Sequence, residues 1–211
     1  MVGVNAALEA TVYGYGECFM SLEGDAQKLL LAAFLNYASS IFTTRGEELK
    51  EAFTKLTRIA SMLRPEIATL LEEALSALNE NPSLADDISS RIELGGISPY
   101  ASDYVTDADK IRLKSEISGL YRNHGIRVRE EMPDHIAPML QLFSFLKVKE
   151  AYLEAKGDSK GAKSCEETIK LLKTYLEPTV KGLSESIKRY SDKAPQLAVL
   201  EAVNIIIFDS K

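Results

Sequence analysis

The chain has few of the residues from which covalent cross-links and metal sites are built. Among its 211 residues there are only two cysteines and two histidines. Cys18 and Cys165 are far apart and neither belongs to a Cys-x-x-Cys pair, which argues against a disulfide framework and favours a reducing, cytoplasmic setting. His124 and His135 have no matching ligand at helical spacing, so we expect no metal site.

Positive charge and long apolar runs are also scarce. The 25 lysines and arginines are outnumbered by 31 acidic residues, which gives a formal net charge of −6. A protein that binds nucleic acid by releasing counterions needs a basic face, so we expect no nucleic-acid partner. The early apolar run over 29–35 is too short to span a bilayer, and the residues after Met1 lack the basic region of an export signal. We therefore predict a cytoplasmic protein without stable membrane insertion.

The sequence also lacks a recognisable catalytic constellation. Nucleotide-binding loops are Gly-rich turns between a strand and a helix, whereas Gly14-Tyr15-Gly16 interrupts a helical pattern and Gly95-Gly96 precedes Ile-Ser-Pro. A thiolate pair of Cys18 with His135 has no third group to orient it. We therefore predict a protein that is not an enzyme and holds no cofactor.

Helical periodicity dominates what is present, and strand-like alternation is rare. Amphipathic helices are predicted over 5–22, 25–42, 47–63, 65–78, 82–92 and 192–208. Three further helices are predicted. One begins after a capping signal at Thr106, one after the Pro-Asp-His triplet that ends at His135, and one after the polar segment over 156–161. Pro178 should kink or break the last of these.

These patterns predict an all-α fold in a single globular domain over 1–211, because this length suffices for one substantial core. The helix-breaking glycine and proline residues between 94 and 105 indicate a loop, which could be a hinge between two lobes. Exchange of lobes across such a hinge would give a dimer, so a monomer and a lobe-swapped dimer both remain open.

The stretch over 130–136 places a helix-start signal and charged residues ahead of an amphipathic run. Proline and aspartate suit a first helical turn, so Pro133 and Asp134 have a purely structural explanation, and the helix should begin near Asp134 or His135. The apolar residues that follow recur at the spacing of a helix with one buried face. His135 lies on the side of Met139 and Leu142 and can be an ordinary hydrogen-bonded core histidine.

Three short motifs in a fixed order resemble the TorD/DmsD/NarJ family of redox-enzyme maturation chaperones. They are Pro-Tyr-Ala-Ser-Asp-Tyr at 99–104, Tyr-Arg-Asn-His-Gly-Ile at 121–126 and Glu-Met-Pro-Asp-His-Ile at 131–136. The resemblance covers roughly 94–150 and implies an all-helical, TorD-like fold. At 175–179 the chain reads Tyr-Leu-Glu-Pro-Thr, where many relatives carry a His-Leu pair and a Trp, so no role of that His or Trp is carried over.

Members of this family bind the apo form of a molybdopterin-containing oxidoreductase, often through its twin-arginine leader, and delay export until the cofactor is inserted. The resemblance therefore implies a cytoplasmic, non-enzymatic chaperone whose partner is the catalytic subunit of such an enzyme and its N-terminal leader peptide. An alternative is a NarJ-like assembly factor for a reductase subunit that is not exported. A third alternative is a nucleotide-dependent switch or enzyme that uses His135 and Asp134 as an acid–base pair.

The resemblance also implies which residues line the partner-binding groove. They are Pro99, Tyr100, Ser102, Tyr104, Glu131, Pro133, Asp134 and His135. From their apolar character, we add Ile136 and Leu140 to the predicted site. Carboxylates would pair with leader arginines, tyrosine rings would stack on them, and apolar side chains would extend the floor. Ordinary loop packing for the two tyrosines, and a solvated surface for Glu130 and Glu131, remain open.

Overall fold

The computed structural model describes residues 23–128 and 132–208. Eight α-helices and one short 3-10 turn make up the regular structure of these residues. They are α1 (Glu23–Ser40), α2 (Gly46–Leu63), α3 (Pro65–Glu80), α4 (Pro82–Glu93), the 3-10 turn (Ala101–Tyr104), α5 (Asp107–Asn123), α6 (Ile136–Ala155), α7 (Ser159–Lys188) and α8 (Pro195–Ile207). Within the described ranges no β-strand forms, and the all-α prediction is confirmed. The predicted helix over 5–22, Cys18, Glu130 and Glu131 lie outside the described residues.

Helix boundaries follow the local signals of the sequence. Pro65, Pro82 and Pro195 each occupy the first turn of a helix, where a missing backbone N–H costs nothing. Asp158 caps α7, since its carboxylate accepts a hydrogen bond from the backbone N–H of Gly161 at 2.9 Å. Just before it, Gly157 has a φ of 76°, the left-handed conformation that commonly terminates a helix.

Pro178 does not break α7, which continues through it from Ser159 to Lys188. Of the two predicted effects, the break is therefore wrong, and the kink stays a prediction. Pro178 has no backbone N–H, so the carbonyl of Thr174 lacks its usual helical hydrogen-bond donor. Both residues face solvent. The lost hydrogen bond thus falls on the hydrated side of the helix, where an unpaired carbonyl costs least.

The centre of the molecule is α6, which packs between α1 and α7. Its first three turns are buried on more than one side, including Met139, Leu142, Phe143 and Ser144. The predicted pattern of one buried face therefore describes α6 incompletely. Further out, α2 and α3 pack beside α1, and α8 packs against α3 and α7.

The 3-10 turn packs between α5 and α7 and brings the segment after α4 back to the start of α6. No described helix combines the length and apolar character needed to cross a membrane. The predicted lobe boundary within 94–105 stays a prediction.

Candidate functional site

The first and third motifs are joined by their backbones. The N–H of Ala101 donates to the carbonyl of Asp134, and the N–H of Ile136 donates to the carbonyl of Pro99, each at 2.9 Å. Tyr100 and His135 therefore face each other as an isolated antiparallel bridge of the non-hydrogen-bonded kind, in which side chains lie close together. Their rings meet edge to face, with centroids 5.3 Å apart and planes at 87°. We call this region, residues 99–104 together with 132–136, the motif junction.

Asp134 lies at the centre of the motif junction and is fully buried. Its Oδ2 accepts a hydrogen bond from the backbone N–H of Ser102 at 3.0 Å. Its Oδ1 has no hydrogen-bond partner. One carboxylate oxygen thus satisfies a loop N–H that is also buried, which fixes the loop against the start of α6.

His135 is the N-cap of α6, which begins at Ile136. Its Nδ1 accepts a hydrogen bond from the backbone N–H of Ala137 at 3.1 Å, so the ring carries its proton on Nε2. Burial lowers the pKa of His135 to about 4, against the opposing charge of Asp134. The ring is therefore neutral near pH 7 and acts as a buried, hydrogen-bonded cap.

Tyr104 anchors the other end of the loop. Its hydroxyl donates to the carbonyl of Ser98, and its ring lies directly against Gly182 of α7. The Ser98 hydroxyl in turn donates to the carboxylate of Asp103, which lies 3.6 Å from the ammonium group of Lys110. The loop is consequently held on α7 at one end and on α6 at the other.

Tyr100 is half-buried and lies beneath the ammonium group of Lys114, which is 5.9 Å from the ring centroid. Burial raises the pKa of its phenol, and the charges of Asp134 and Asp103 add to that rise. The hydroxyl is therefore a neutral hydrogen-bonding group at any physiological pH.

Sequence reasoning assigned no role to the middle motif, yet its side chains reach the other elements. Tyr121 is buried, which raises the pKa of its phenol, and the charge of Asp134 adds to that rise. His124 links three helices, because Lys149 of α6 donates to its Nδ1 at 3.3 Å and its Nε2 lies 2.9 Å from the hydroxyl of Thr168 on α7. The sequence offers one local signal for this link, which is a histidine directly before a helix-ending glycine. Gly125 has a φ of 73°, the left-handed conformation common at helix ends.

The structure gathers nine of the ten predicted site residues around the start of α6, and Glu131 lies outside the described residues. Seven of the nine are buried: Pro99, Ser102, Pro133, Asp134, His135, Ile136 and Leu140. Tyr100 and Tyr104 are half-buried. Two neighbours that sequence reasoning left out of the site are exposed, Met132 at 39% and the side chain of Asp103 at 44%. The surface of the motif junction can offer hydroxyls, a carboxylate and an apolar side chain to a peptide.

Comparisons with known proteins bear on this geometry. Residues 92–183, a little under half of the chain, match the family model described as nitrate reductase delta subunit. Neither the curated proteins nor the solved structures include a match to this chain. The matched region contains all three motifs and the whole motif junction, so the resemblance of these residues to the NarJ/TorD-type family of redox-enzyme maturation chaperones is confirmed.

Proposed function

We propose that the protein is a cytoplasmic, non-catalytic chaperone that binds the leader or apo form of a molybdopterin-containing oxidoreductase subunit and assists cofactor insertion before export. The observation that carries this proposal is the family match over residues 92–183, which spans all three motifs. Residues from the first and third motifs meet at one place, where the backbone of 99–101 pairs with that of 134–136. Such a shared junction is expected when the motifs serve one recognition surface.

The accessible side chains of the motif junction suit a basic and apolar leader. Paired arginines favour a carboxylate beside flat aromatic rings, and Asp103, Tyr100 and Tyr104 supply these groups at the surface. Met132 offers a flexible apolar contact of the kind that adapts to different peptides. We assign the buried members of the predicted site, Asp134 and His135 among them, to shaping this surface from beneath.

A second candidate function is favoured by the description of the matching family model, which names a nitrate reductase subunit. In this alternative the chain is an assembly factor for a reductase subunit that is not exported. Recognition then depends on the apolar stretch of the client's N-terminus rather than on paired arginines. Replacing the two arginines of a leader peptide by lysines separates the candidates, since only twin-arginine recognition needs the planar guanidinium groups.

The experiment that tests the proposal is affinity capture from the native host with the tagged full chain, followed by mass spectrometry. We expect a molybdopterin oxidoreductase subunit in the wild-type capture. The doubly substituted chain Asp103→Asn/Met132→Ser changes only exposed groups of the motif junction and should capture much less. Glu185→Gln, an exposed change on α7, is the matched control and should capture the wild-type amount.

The possible outcomes separate the function from its site. If the Asp103→Asn/Met132→Ser chain captures the subunit as well as the control does, the chaperone function is kept and the site lies away from the motif junction. Absence of any oxidoreductase subunit from the wild-type capture would contradict the proposed function.

A further inference from the structure

His124, directly after α5, is hydrogen-bonded to two other helices. The ammonium group of Lys149 on α6 lies 3.3 Å from its Nδ1, and the hydroxyl of Thr168 on α7 lies 2.9 Å from its Nε2. An ammonium group can only donate, so Nδ1 accepts and the ring carries its proton on Nε2, from which it donates to Thr168. The Thr168 hydroxyl donates in turn to the carbonyl of Ser164 at 3.0 Å. The neutral ring therefore has a partner at each nitrogen.

We propose that His124 is an acid-sensitive positioning residue, which ties the end of α5 to both α6 and α7 when neutral but to α7 alone when protonated. A protonated imidazole carries an N–H at both nitrogens. It still donates to Thr168, but it cannot accept from Lys149, and two positive charges would face each other at the distance of a hydrogen bond. The contact with α6 must therefore open, whereas the contact with α7 persists.

The charges around His124 agree with this asymmetry. Burial lowers the pKa of His124, and the positive charge of Lys149 lowers it further. On α7 the nearby titratable group is the thiol of Cys165, which stays neutral because burial raises its pKa. The carboxylate of Glu150 on α6 already accepts from two other lysines, and Arg122 on α5 is exposed. Lys149 is therefore the charge that opposes protonation of the ring.

The contact with Lys149 bears on how the second motif is joined to α6. The backbone N–H groups of His124 and Ile126 both donate to the carbonyl of Tyr121, at 3.1 and 2.9 Å, so the chain turns directly after α5. Met132 of the motif junction follows eight residues after His124. Lys149 thus fixes this turn against the helix on which the motif junction is built. Protonation of His124 would free the turn from α6 without unfolding α5, whichever client the protein binds.

Nuclear magnetic resonance of the full wild-type chain tests the ring directly, because the chain has only two histidines. The variant His135→Asn assigns their ring signals. We expect His124 to carry its proton on Nε2 at pH 7 and to titrate with a midpoint below the ordinary histidine value of 6.5. A proton on Nδ1 at pH 7 would exclude the bond from Lys149 and overturn the proposal. A midpoint at 6.5 or above would overturn it as well.

Two substitutions measure whether acid weakens one contact and not the other. Lys149→Met should raise the equilibrium constant for unfolding about threefold to tenfold at pH 7, where it removes a hydrogen bond. At about pH 5 this effect should be smaller, because the variant raises the pKa of His124 and so loses less stability as the pH falls below 6.5.

Thr168→Val is the matched control for the contact with α7. Both forms of the ring donate to Thr168, so this substitution should cost at least as much at about pH 5 as at pH 7. Urea denaturation of both variants and of the wild type at the two pH values gives the comparison. If the effect of Lys149→Met does not shrink relative to that of Thr168→Val, the proposal is wrong.

Discussion

Gly182 is the residue of α7 on which the ring of Tyr104 rests. A Cβ added at Gly182 would overlap the Cδ1 and Cε1 atoms of that ring. The ring cannot simply swing away, because the Tyr104 hydroxyl is bonded to the carbonyl of Ser98. We predict that Gly182→Ala lowers the free energy of unfolding by about 1–3 kcal/mol, the usual cost of overpacking, as measured by urea denaturation.

Gly119 provides the control for this substitution. It lies within α5, and a Cβ there would meet nothing closer than Nη2 of Arg122 at 3.9 Å. Gly119→Ala should therefore raise stability by about 0.5–1 kcal/mol, the ordinary gain for alanine within a helix. If both substitutions stabilised the protein, close packing of Tyr104 against α7 would be contradicted.

His135 makes stability depend on pH. Its pKa in the folded protein is about 4, below the ordinary histidine value of 6.5, so the unfolded chain binds the proton more tightly. The stabilising contribution of the neutral ring is complete above about pH 6.5 and is lost as the pH falls towards 4. We predict that the free energy of unfolding of the wild-type chain falls between pH 7 and pH 4.5 by about 2–3 kcal/mol from this group.

His135→Asn is the variant that tests this pH dependence. Asparagine is a good N-cap and can still accept the Ala137 N–H, but it does not titrate. Its unfolding curves at pH 7 and pH 4.5 should therefore differ less than those of the wild type. The pKa of His124 is also lowered, by burial and by Lys149, so part of the dependence should remain. An unchanged difference in the variant would show that His135 is not the titrating group.

At the scale of elements, α1 and α6 are joined by polar contacts as well as by their apolar faces. The Ser144 hydroxyl of α6 donates to the carbonyl of Ala32 in α1 at 2.7 Å. Glu150 of α6, only 6% exposed, accepts from Lys28 at 3.1 Å and from Lys147 at 2.9 Å. Glu154 also contacts Lys28, but from a more exposed position.

These contacts predict unequal effects for two similar substitutions. Glu150→Gln leaves two partly buried ammonium groups without their shared carboxylate and should lower the free energy of unfolding by about 2 kcal/mol. Glu154→Gln removes a partner at the surface and should cost less than about 1 kcal/mol. Chemical denaturation of the two variants checks this, and equal losses would mean that burial of Glu150 does not strengthen the contact.

Element type and boundaries could be predicted from the sequence because their signals are local. Prolines at helix starts, glycines at helix ends and the helical period each act within a few residues. The effect of Pro178 could not be predicted, since it depends on which side of α7 faces solvent. The burial of α6 on several sides could not be predicted either, because it depends on the packing of both α1 and α7 against this helix.

At the scale of the whole molecule, the meeting of the first and third motifs was expected from the family resemblance, whereas the burial of Asp134 was not. Its burial depends on a loop that arrives from 32 residues earlier in the chain, at Ser102. No local pattern encodes such a contact. The exposed Asp103 and Met132 were missed for the same reason, since their accessibility is set by how the motif junction closes.

The match to the family model covers only the middle of the chain, but the structure predicts that this part does not fold alone. Within residues 92–188, α6 needs α1 to cover one side, and α7 packs against α8, where Lys173 donates to the carbonyl of Ile207 at 2.6 Å. A fragment of these residues would expose both faces to water and lose a large share of its apolar burial.

We therefore predict that the fragment 92–188 shows no cooperative thermal unfolding by circular dichroism and binds a hydrophobic dye such as ANS. The full chain, measured under the same conditions, should melt in one transition and bind little dye. A sharp transition of the fragment near that of the full chain would show that the motif junction and its three helices form an independent folding unit. In that case α1 and α8 would not be needed to stabilise the motif junction.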